Sequence, residues 1–300
     1  MGGGSWTAKD WASYASVNIS GKSASAIYKS KGINPNYDPK KIAVRESCDS
    51  AEHPDSNAII IGLDVTGSMS SILEAVAEKL GSLVGDIYDR QPVSDPQIMF
   101  HAIGDAMCDE APLQVTQFES DIRIAQQLTE LWFEQGGGGN RFESYPLTWY
   151  FAANRTKIDC FEKRGKKGFI FTMGDDGFPK VLTKKEIKEF FGDTIEKDIP
   201  VEEVLTQVNR LYEVFHLCLG QGGTASTMDR PAWAELLGER AIKVSDYTKI
   251  PEIIVSILET VGGKPVDEVI GSWDKKTALV VKEAIKDLSA IGQSGGLVAM

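Results

Sequence analysis

The sequence predicts an α/β fold with a doubly wound, mostly parallel central sheet flanked by helices. Three observations predict it. Ala58-Ile59-Ile60-Ile61-Gly62-Leu63 is an unbroken apolar run, as a strand buried on both faces of a parallel sheet requires. It ends in Asp64 and a loop of small residues, after which Ile72, Val76, Leu80, Val84 and Ile87 recur near every fourth position, one face of a helix. Apolar runs and amphipathic stretches then alternate to about residue 262, the pattern of repeated strand–helix units.

The elements follow in order. Residues 1 to about 55 are polar and poor in periodic apolar pattern, with turn chemistry at Ile33-Asn34-Pro35-Asn36-Tyr37-Asp38-Pro39 and at most one short strand at 41–45. They read as an arm (1–56) packed over a domain (57–262), with Trp6 and Trp11 as the docking residues. After the first strand and helix, residues 97–104 read as a second strand and 113–118 as a half-exposed edge strand. Asp121 to Phe133 reads as a helix capped by Ser120 or Asp121. Gly136 to Gly139 form a rim loop, and a helix through Trp149 and Phe151 carries Pro146 in its first turn, where the missing N–H does little harm. Residues 167–172 form a buried strand running into Gly174-Asp175-Asp176-Gly177. Thr183 and Glu186 make a capping box. A helix over 202–211, a strand over 214–219, a helix with Trp233 and Leu237, a strand at 241–244 and a helix over 250–261 complete the domain. A tail (263–300) holds one more helix from Lys275 to Leu288.

Composition narrows the function. With 32 Lys+Arg against 43 Asp+Glu, the formal net charge is −11, which argues against a nucleic-acid partner because phosphate binding needs a local excess of cations. The basic patches 163–167 and 184–185 each sit beside acids and read as solvated loop or helix faces. No run approaches the roughly 18 apolar residues of a membrane span, and the first residues match neither a secretory signal nor a myristoylation pattern. Cys48, Cys108, Cys160 and Cys218 are widely separated, so neither a zinc site nor a disulfide framework is expected and a reducing, cytoplasmic setting fits.

In an open α/β sheet, ligands bind beyond the carboxyl ends of the strands. Three loops fall at such ends and carry oxygen donors: Asp64-Val65-Thr66-Gly67-Ser68, Gly139-Asn140-Arg141-Phe142-Glu143-Ser144, and Gly174-Asp175-Asp176. The first places a carboxylate and two hydroxyls at i, i+2 and i+4, a spacing that can turn all three oxygens to one side. Carboxylate, hydroxyl and water oxygens suit a hard cation such as Mg²⁺, with Mn²⁺ or Ca²⁺ as alternatives.

The stretch Ile59-Ile60-Ile61-Gly62-Leu63-Asp64-Val65-Thr66-Gly67-Ser68-Met69 resembles the first strand and metal-site loop of von Willebrand factor A domains. The resemblance covers roughly residues 57 to 262, with strands and helices in the family's order. It implies a divalent metal held by Asp64, partly through water, and by the hydroxyls of Thr66 and Ser68. The family's second loop offers a Thr after glycines; here Asn140 or Glu143 takes that place. The third offers an Asp, which maps to Asp175 or Asp176. It further implies a metal-dependent protein-binding module that is not an enzyme, whose protein partner completes the metal shell with an Asp or Glu, without nucleic acid or membrane. If Glu143 ligates, extra carboxylates surround the ion and its pull on an acidic partner weakens.

Blander readings stand beside these. The first loop could be a tight strand-to-helix turn with Ser as cap. A structural homo-oligomer subunit with a stabilising metal is one alternative function, and a metal-dependent hydrolase using Glu143, Asp105 or Asp176 as base is another. Haloacid dehalogenase-type phosphoryl transfer is excluded because its second Asp is replaced by Thr66, and the Gly136–Gly139 run lacks the Lys-Ser/Thr of a phosphate loop. Ser68 lies outside any GxSxG elbow. His101 and His216 sit in apolar strands and read as satisfied core histidines, and His53 lies in a polar loop with nothing to orient it. Asp105 reads as a turn residue or an acceptor near the metal.

Overall fold

The computed structural model describes residues 4–134, 141–219 and 225–290, with 225–229 as backbone only. Its central sheet contains β1 (Asn57–Asp64), β2 (Pro96–Ile103), β3 (Leu113–Val115), β4 (Gly168–Gly174), β5 (Tyr212–Leu219) and β6 (Ala241–Val244). The strand order is β6-β5-β4-β1-β2-β3, all parallel except β3, which runs antiparallel to β2. The α/β, doubly wound architecture expected from the sequence is therefore present. From β1 the chain winds outward to β2 and β3, then returns to β4 on the other side of β1. The strand order thus reverses between β1 and β4, where the carboxyl ends open a crevice.

Strand alternation explains why both faces are covered. In β1, Ile59, Ile61 and Leu63 enter one core, and Ala58 and Ile60 enter the other. The first core packs against α2 (Ser70–Arg90), α3 (Arg123–Glu130), α8 (Ile250–Val261) and α9 (Lys275–Ile285). The second packs against α4 (Tyr145–Arg155), α5 (Lys184–Phe191), α6 (Val201–Val208) and Trp233 of α7 (Ala225–Leu237). Crossovers on opposite faces are what right-handed connections demand when the chain winds outward in two directions. Thr183 and Glu186 form the expected reciprocal cap at the start of α5. Among the described residues no helix is long and apolar enough to cross a membrane.

Several local expectations need correction. The arm contains a helix, α1 (Ala8–Asn18), started by Thr7, whose hydroxyl accepts from the Asp10 N–H. Trp6 and Trp11 stack at 5.6 Å, and Trp11 lies over Gly81 of α2, where any β-carbon would collide with its indole. The helix expected over 121–133 is shorter, Arg123–Glu130, and of the two expected caps it is Asp121 whose Oδ1 accepts from the Arg123 N–H at 3.0 Å. Lys163 and Arg164 are not merely solvated: Arg164 bonds Asp49 at 2.8 Å and the Ser56 carbonyl at 2.7 Å, and Lys163 bonds Asp49 at 3.1 Å, fastening the arm to the domain. His53 is buried and oriented, its Nε2 2.9 Å from the Gly4 carbonyl oxygen. The outer side of β3 is also occupied, since the Val115 N–H donates to Tyr37 O (2.9 Å) and Arg45 donates to Val115 O (3.2 Å).

Candidate metal centre

Asp64 is the last residue of β1, at the point where the strand order reverses, and it is fully buried. Its Oδ1 accepts two bonds from the loop that follows, one from the Thr66 N–H (2.9 Å) and one from the Thr66 hydroxyl (2.6 Å). The Thr66 hydroxyl stands 3.5 Å from the Ser68 hydroxyl, which donates to Asp175 Oδ1 at 3.1 Å. Oxygens of β1, its loop and the loop after β4 thus form one continuous chain. The turn carrying these residues, Gly67–Met69, leads into α2, yet neither Thr66 nor Met69 makes a side-chain cap. The strand-to-helix turn with a capping Ser is therefore not what the loop contains. Its Thr66 and Ser68 hydroxyls face carboxylates.

The second loop is stitched to both neighbours. Phe142 pairs with Gly177 in a short bridge, the Glu143 N–H donates to Gly177 O (3.0 Å), and the Ser144 N–H donates to Gly104 O (3.0 Å). The Ser144 hydroxyl accepts from the Ala106 N–H at 2.9 Å. Glu143 is thereby held inside the crevice, 3% exposed, and among the described residues its Oε2 has no hydrogen-bond partner. Asn140 lies outside the described residues, so of the two second-loop candidates only Glu143 can be located.

One residue of the site, Tyr145, carried no signal in the sequence. The Tyr145 hydroxyl donates to Asp64 Oδ2 at 3.3 Å, and Gly174 makes room for it: a β-carbon there would collide with Tyr145 Oη and stand 2.8 Å from Asp64 Oδ2. Beneath them lies an aromatic layer. Tyr145 meets Trp233 edge-on at 5.2 Å, Trp233 stacks on His216 at 3.6 Å, and the Trp233 indole N–H donates to the Asp176 carbonyl at 3.1 Å. The Asp64 side chain and the Asp176 backbone, on two of the three loops, are thus held by groups from α4 and α7.

Electrostatics follow from this crowding. Burial raises the Asp64 carboxyl well above the usual carboxylate range; the Thr66 bonds oppose that rise, and the charges of Asp175 and Asp176 add to it. Burial raises Glu143 further, reinforced by Asp64, Asp105, Asp109 and Asp176. Asp105 is buried beside them, its N–H donating to Asp109 Oδ2 at 2.7 Å and its Oδ1 accepting from the Met107 N–H at 2.9 Å. His101 and His216 lie in the second core and are not satisfied as expected. Among the described residues, neither ring nitrogen of His101 has a partner, and His216 has one at Nδ1, 2.9 Å from the Thr172 hydroxyl, and none at Nε2. Burial drives the pKa of both rings down.

The donor set fits a hard cation in its chemistry: carboxylates and hydroxyls at a crevice, with one buried carboxylate oxygen left unpartnered. It does not fit an all-carboxylate cage, for no group of three or more His, Cys, Asp or Glu among the described residues is arranged to hold a metal. Any ion here needs the hydroxyls of Thr66 and Ser68, and water. A cavity of about 510 Å³ lies at the opposite end of the sheet, lined by Asn57, Gln91, Lys166, Lys167, Phe169 and Glu213 among others. The crevice at Asp64 is a rim, not a deep pocket.

No protein-family model matches the chain, and no curated protein matches it. Solved structures overlap it at low identity. A pilus adhesin from Lactobacillus rhamnosus GG shares 9% identity with a TM-score of 0.48 over 69% of this chain, and the match spans only 31% of the adhesin. Proximal thread matrix protein 1 from the mussel byssus shares 9% with a TM-score of 0.44, over 71% of this chain and 48% of its own. An aerotolerance-related membrane protein from Bacteroides fragilis shares 16% with a TM-score of 0.32, over 55% and 68%. Overlaps this partial carry no weight for function.

Proposed function

We propose that this chain is a divalent-cation-dependent protein-binding module of von Willebrand factor A type. Asp64, Thr66 and Ser68 would hold the ion with water and one further carboxylate, that of Asp175, Asp176 or Glu143, and Mg²⁺ or Mn²⁺ is the chemistry-matched ion. One observation carries the reading: Asp64, Thr66, Ser68 and Asp175 form a single run of oxygens at the reversal of strand order, with both hydroxyls withheld from helix capping. When bound, the cation would supply positive charge where this chain has gathered negative charge. The protein's part is to fix the oxygens. Tyr145 holds the second oxygen of Asp64, the Thr66 amide holds the first, and Trp233 holds the backbone of Asp176.

Binding rather than catalysis is favoured by the surroundings. His216, the histidine beneath the site, is buried, stacked on Trp233 and bonded to Thr172, so it is not placed to exchange protons with a substrate on the rim. The test is melting of wild type and Asp64→Ala with Mg²⁺, Mn²⁺, Ca²⁺ or chelator. At an ion concentration 100 times Kd, mass action stabilises by about 2.7 kcal/mol, which Asp64→Ala is expected to lose. Equal melting with ion and with chelator would remove the cation from this reading.

A further inference from the structure

We infer that the cavity at the opposite end of the sheet binds a planar aromatic anion, its charged group against Lys166 and Lys167 and its ring on Phe169. The cavity shares no residue with the crevice at Asp64 and needs no ion there.

At about 510 Å³ the cavity has room for a ligand of two fused rings. It opens where α2 and α8 end, at Gln91 and Gly262, beside the first residues of β1, β4 and β5. Its wall is Pro92-Val93-Ser94, set between two non-glycine residues with left-handed backbone, Gln91 at φ 50° and Asp95 at φ 32°. Such conformations persist only where the surroundings enforce them. Asn57 does so here: its N–H donates to Asp95 O at 3.1 Å and its Nδ2 donates to Ser94 O at 2.8 Å. The wall is thereby pinned from β1, and the cavity stays open.

Charge at this end is positive although the chain as a whole is acidic. The basic run 163–167 divides: Lys163 and Arg164 fasten the arm, and Lys166 and Lys167 line the cavity. Lys166 is exposed and, among the described residues, its side chain has no ion pair or hydrogen bond. Glu213, the acidic residue of the lining, is buried and already matched by two cations, Lys167 at 3.1 Å and Arg240. Glu259, a turn before Gly262, is buried and likewise matched by Arg90 and Lys264, each at 2.6 Å. Each carboxylate leaves one positive charge over, and Lys166 adds another. Asp95, on the cavity of about 260 Å³ behind the wall, takes back one. The balance draws an anion. The carbonyl ends of α2 and α8 repel one, so its place is on the β4 side, at the lysines.

The ring has its own partner. Phe215 and Phe171 stack across β5 and β4 at 5.3 Å, and Phe171 and Phe169 stack along β4 at 6.4 Å, with interplanar angles of 18° and 13°. Phe169 brings this stack to the cavity. A flat ligand ring continues it, and Pro92 and Val93 of the wall add apolar contact. A saturated ring of the same charge gains burial without the stack.

The experiment is calorimetric titration of the full chain, in chelator, with 2-naphthoate, 2-naphthamide and cyclohexanecarboxylate. The first carries ring and charge, the second the ring without charge, the third the charge on a saturated ring. 2-Naphthoate is expected to bind at a single site, at least about tenfold tighter than either of the others, its lead over the amide narrowing at high salt. Lys166→Gln is expected to weaken 2-naphthoate about fivefold, with the amide and the Mn²⁺ melting shift unchanged. Val93→Trp, which fills the cavity from its wall, is expected to abolish binding. The inference is overturned if 2-naphthoate fails to bind up to about 1 mM, binds no tighter than the amide, or binds Lys166→Gln as tightly as wild type. Undiminished binding to a Val93→Trp protein that still melts cooperatively overturns it as well.

Discussion

The Tyr145 hydroxyl reaches Asp64 Oδ2 at 3.3 Å through space that only the missing β-carbon of Gly174 leaves open. A helix start, a strand end and a glycine from different parts of the chain therefore share one small volume. Tyr145→Phe should cost about 1 kcal/mol, the net worth of a hydrogen bond, and should weaken the ion-dependent shift because one oxygen of Asp64 is no longer held. Gly174→Ala should cost more, about 2 kcal/mol or above, since the new methyl must displace a buried ring. Urea denaturation of the three proteins, with and without Mn²⁺, checks both.

Asp64 should also be a liability without metal. Its native carboxyl titrates at about 7, far above the value near 3.9 in an unfolded chain. The folded state therefore holds the proton more tightly, so the contribution is fully present below about pH 4 and is lost as pH rises through the native value. Asn never ionises. Metal-free Asp64→Asn is expected to be more stable than wild type at about pH 8, by at least about 1 kcal/mol, and the difference should shrink toward pH 5. A variant less stable than wild type at both pH values would contradict this.

The buried histidines act in the opposite direction. Burial lowers His101 to about 3, and both of its nitrogens lack partners. A depressed native value means the stability contribution is present above the unfolded value near 6.5 and is lost as pH falls. His101→Leu keeps an apolar body beside Phe151 and removes two unsatisfied atoms. It should be more stable than wild type at pH 7, and its advantage should widen below about pH 6.5 by up to about 1.4 kcal/mol per pH unit. Comparing the two proteins cancels the acid-side gain from Asp64 and Glu143, which both retain.

Two glycines of α2 should respond with opposite signs. Nothing lies within 4 Å of a β-carbon built at Gly85, whereas one at Gly81 runs into the Trp11 indole. Gly85→Ala should stabilise by up to about 1 kcal/mol through helix propensity. Gly81→Ala should forfeit that gain by lifting α1, and limited proteolysis should then cut the arm faster than in Gly85→Ala.

Much of the sheet was legible because its central strands announce themselves by burial on two faces, whereas the stretch read as half-exposed, at 113–118, is buried over Leu113–Val115 because the arm covers it. The run before Asp64 and the periodic face of α2 have the same cause, and both are found where the pattern puts them. The three loops were legible as a group once strand ends were known, and the hydroxyl spacing of Thr66 and Ser68 identified the first. Tyr145 was not legible, since a tyrosine at a helix start carries no mark until Gly174 is seen opposite. The helix Ala8–Asn18 had a usable signal, with Trp11, Tyr14, Ala15 and Ile19 spaced along one face after a Thr7-x-x-Asp10 start. Its small apolar residues and polar neighbours hid the stripe. His53 was opaque for a different reason, because its partner, the Gly4 carbonyl, is distant in sequence.

The outer flank of β3 is already hydrogen-bonded by Tyr37 and Arg45. A bare edge strand is a template on which another chain can extend the sheet. The first fifty or so residues thus act as a built-in terminator of sheet growth. Their removal would uncover the Val115 N–H and carbonyl together, turning an occupied edge into one that can add strands from its neighbours.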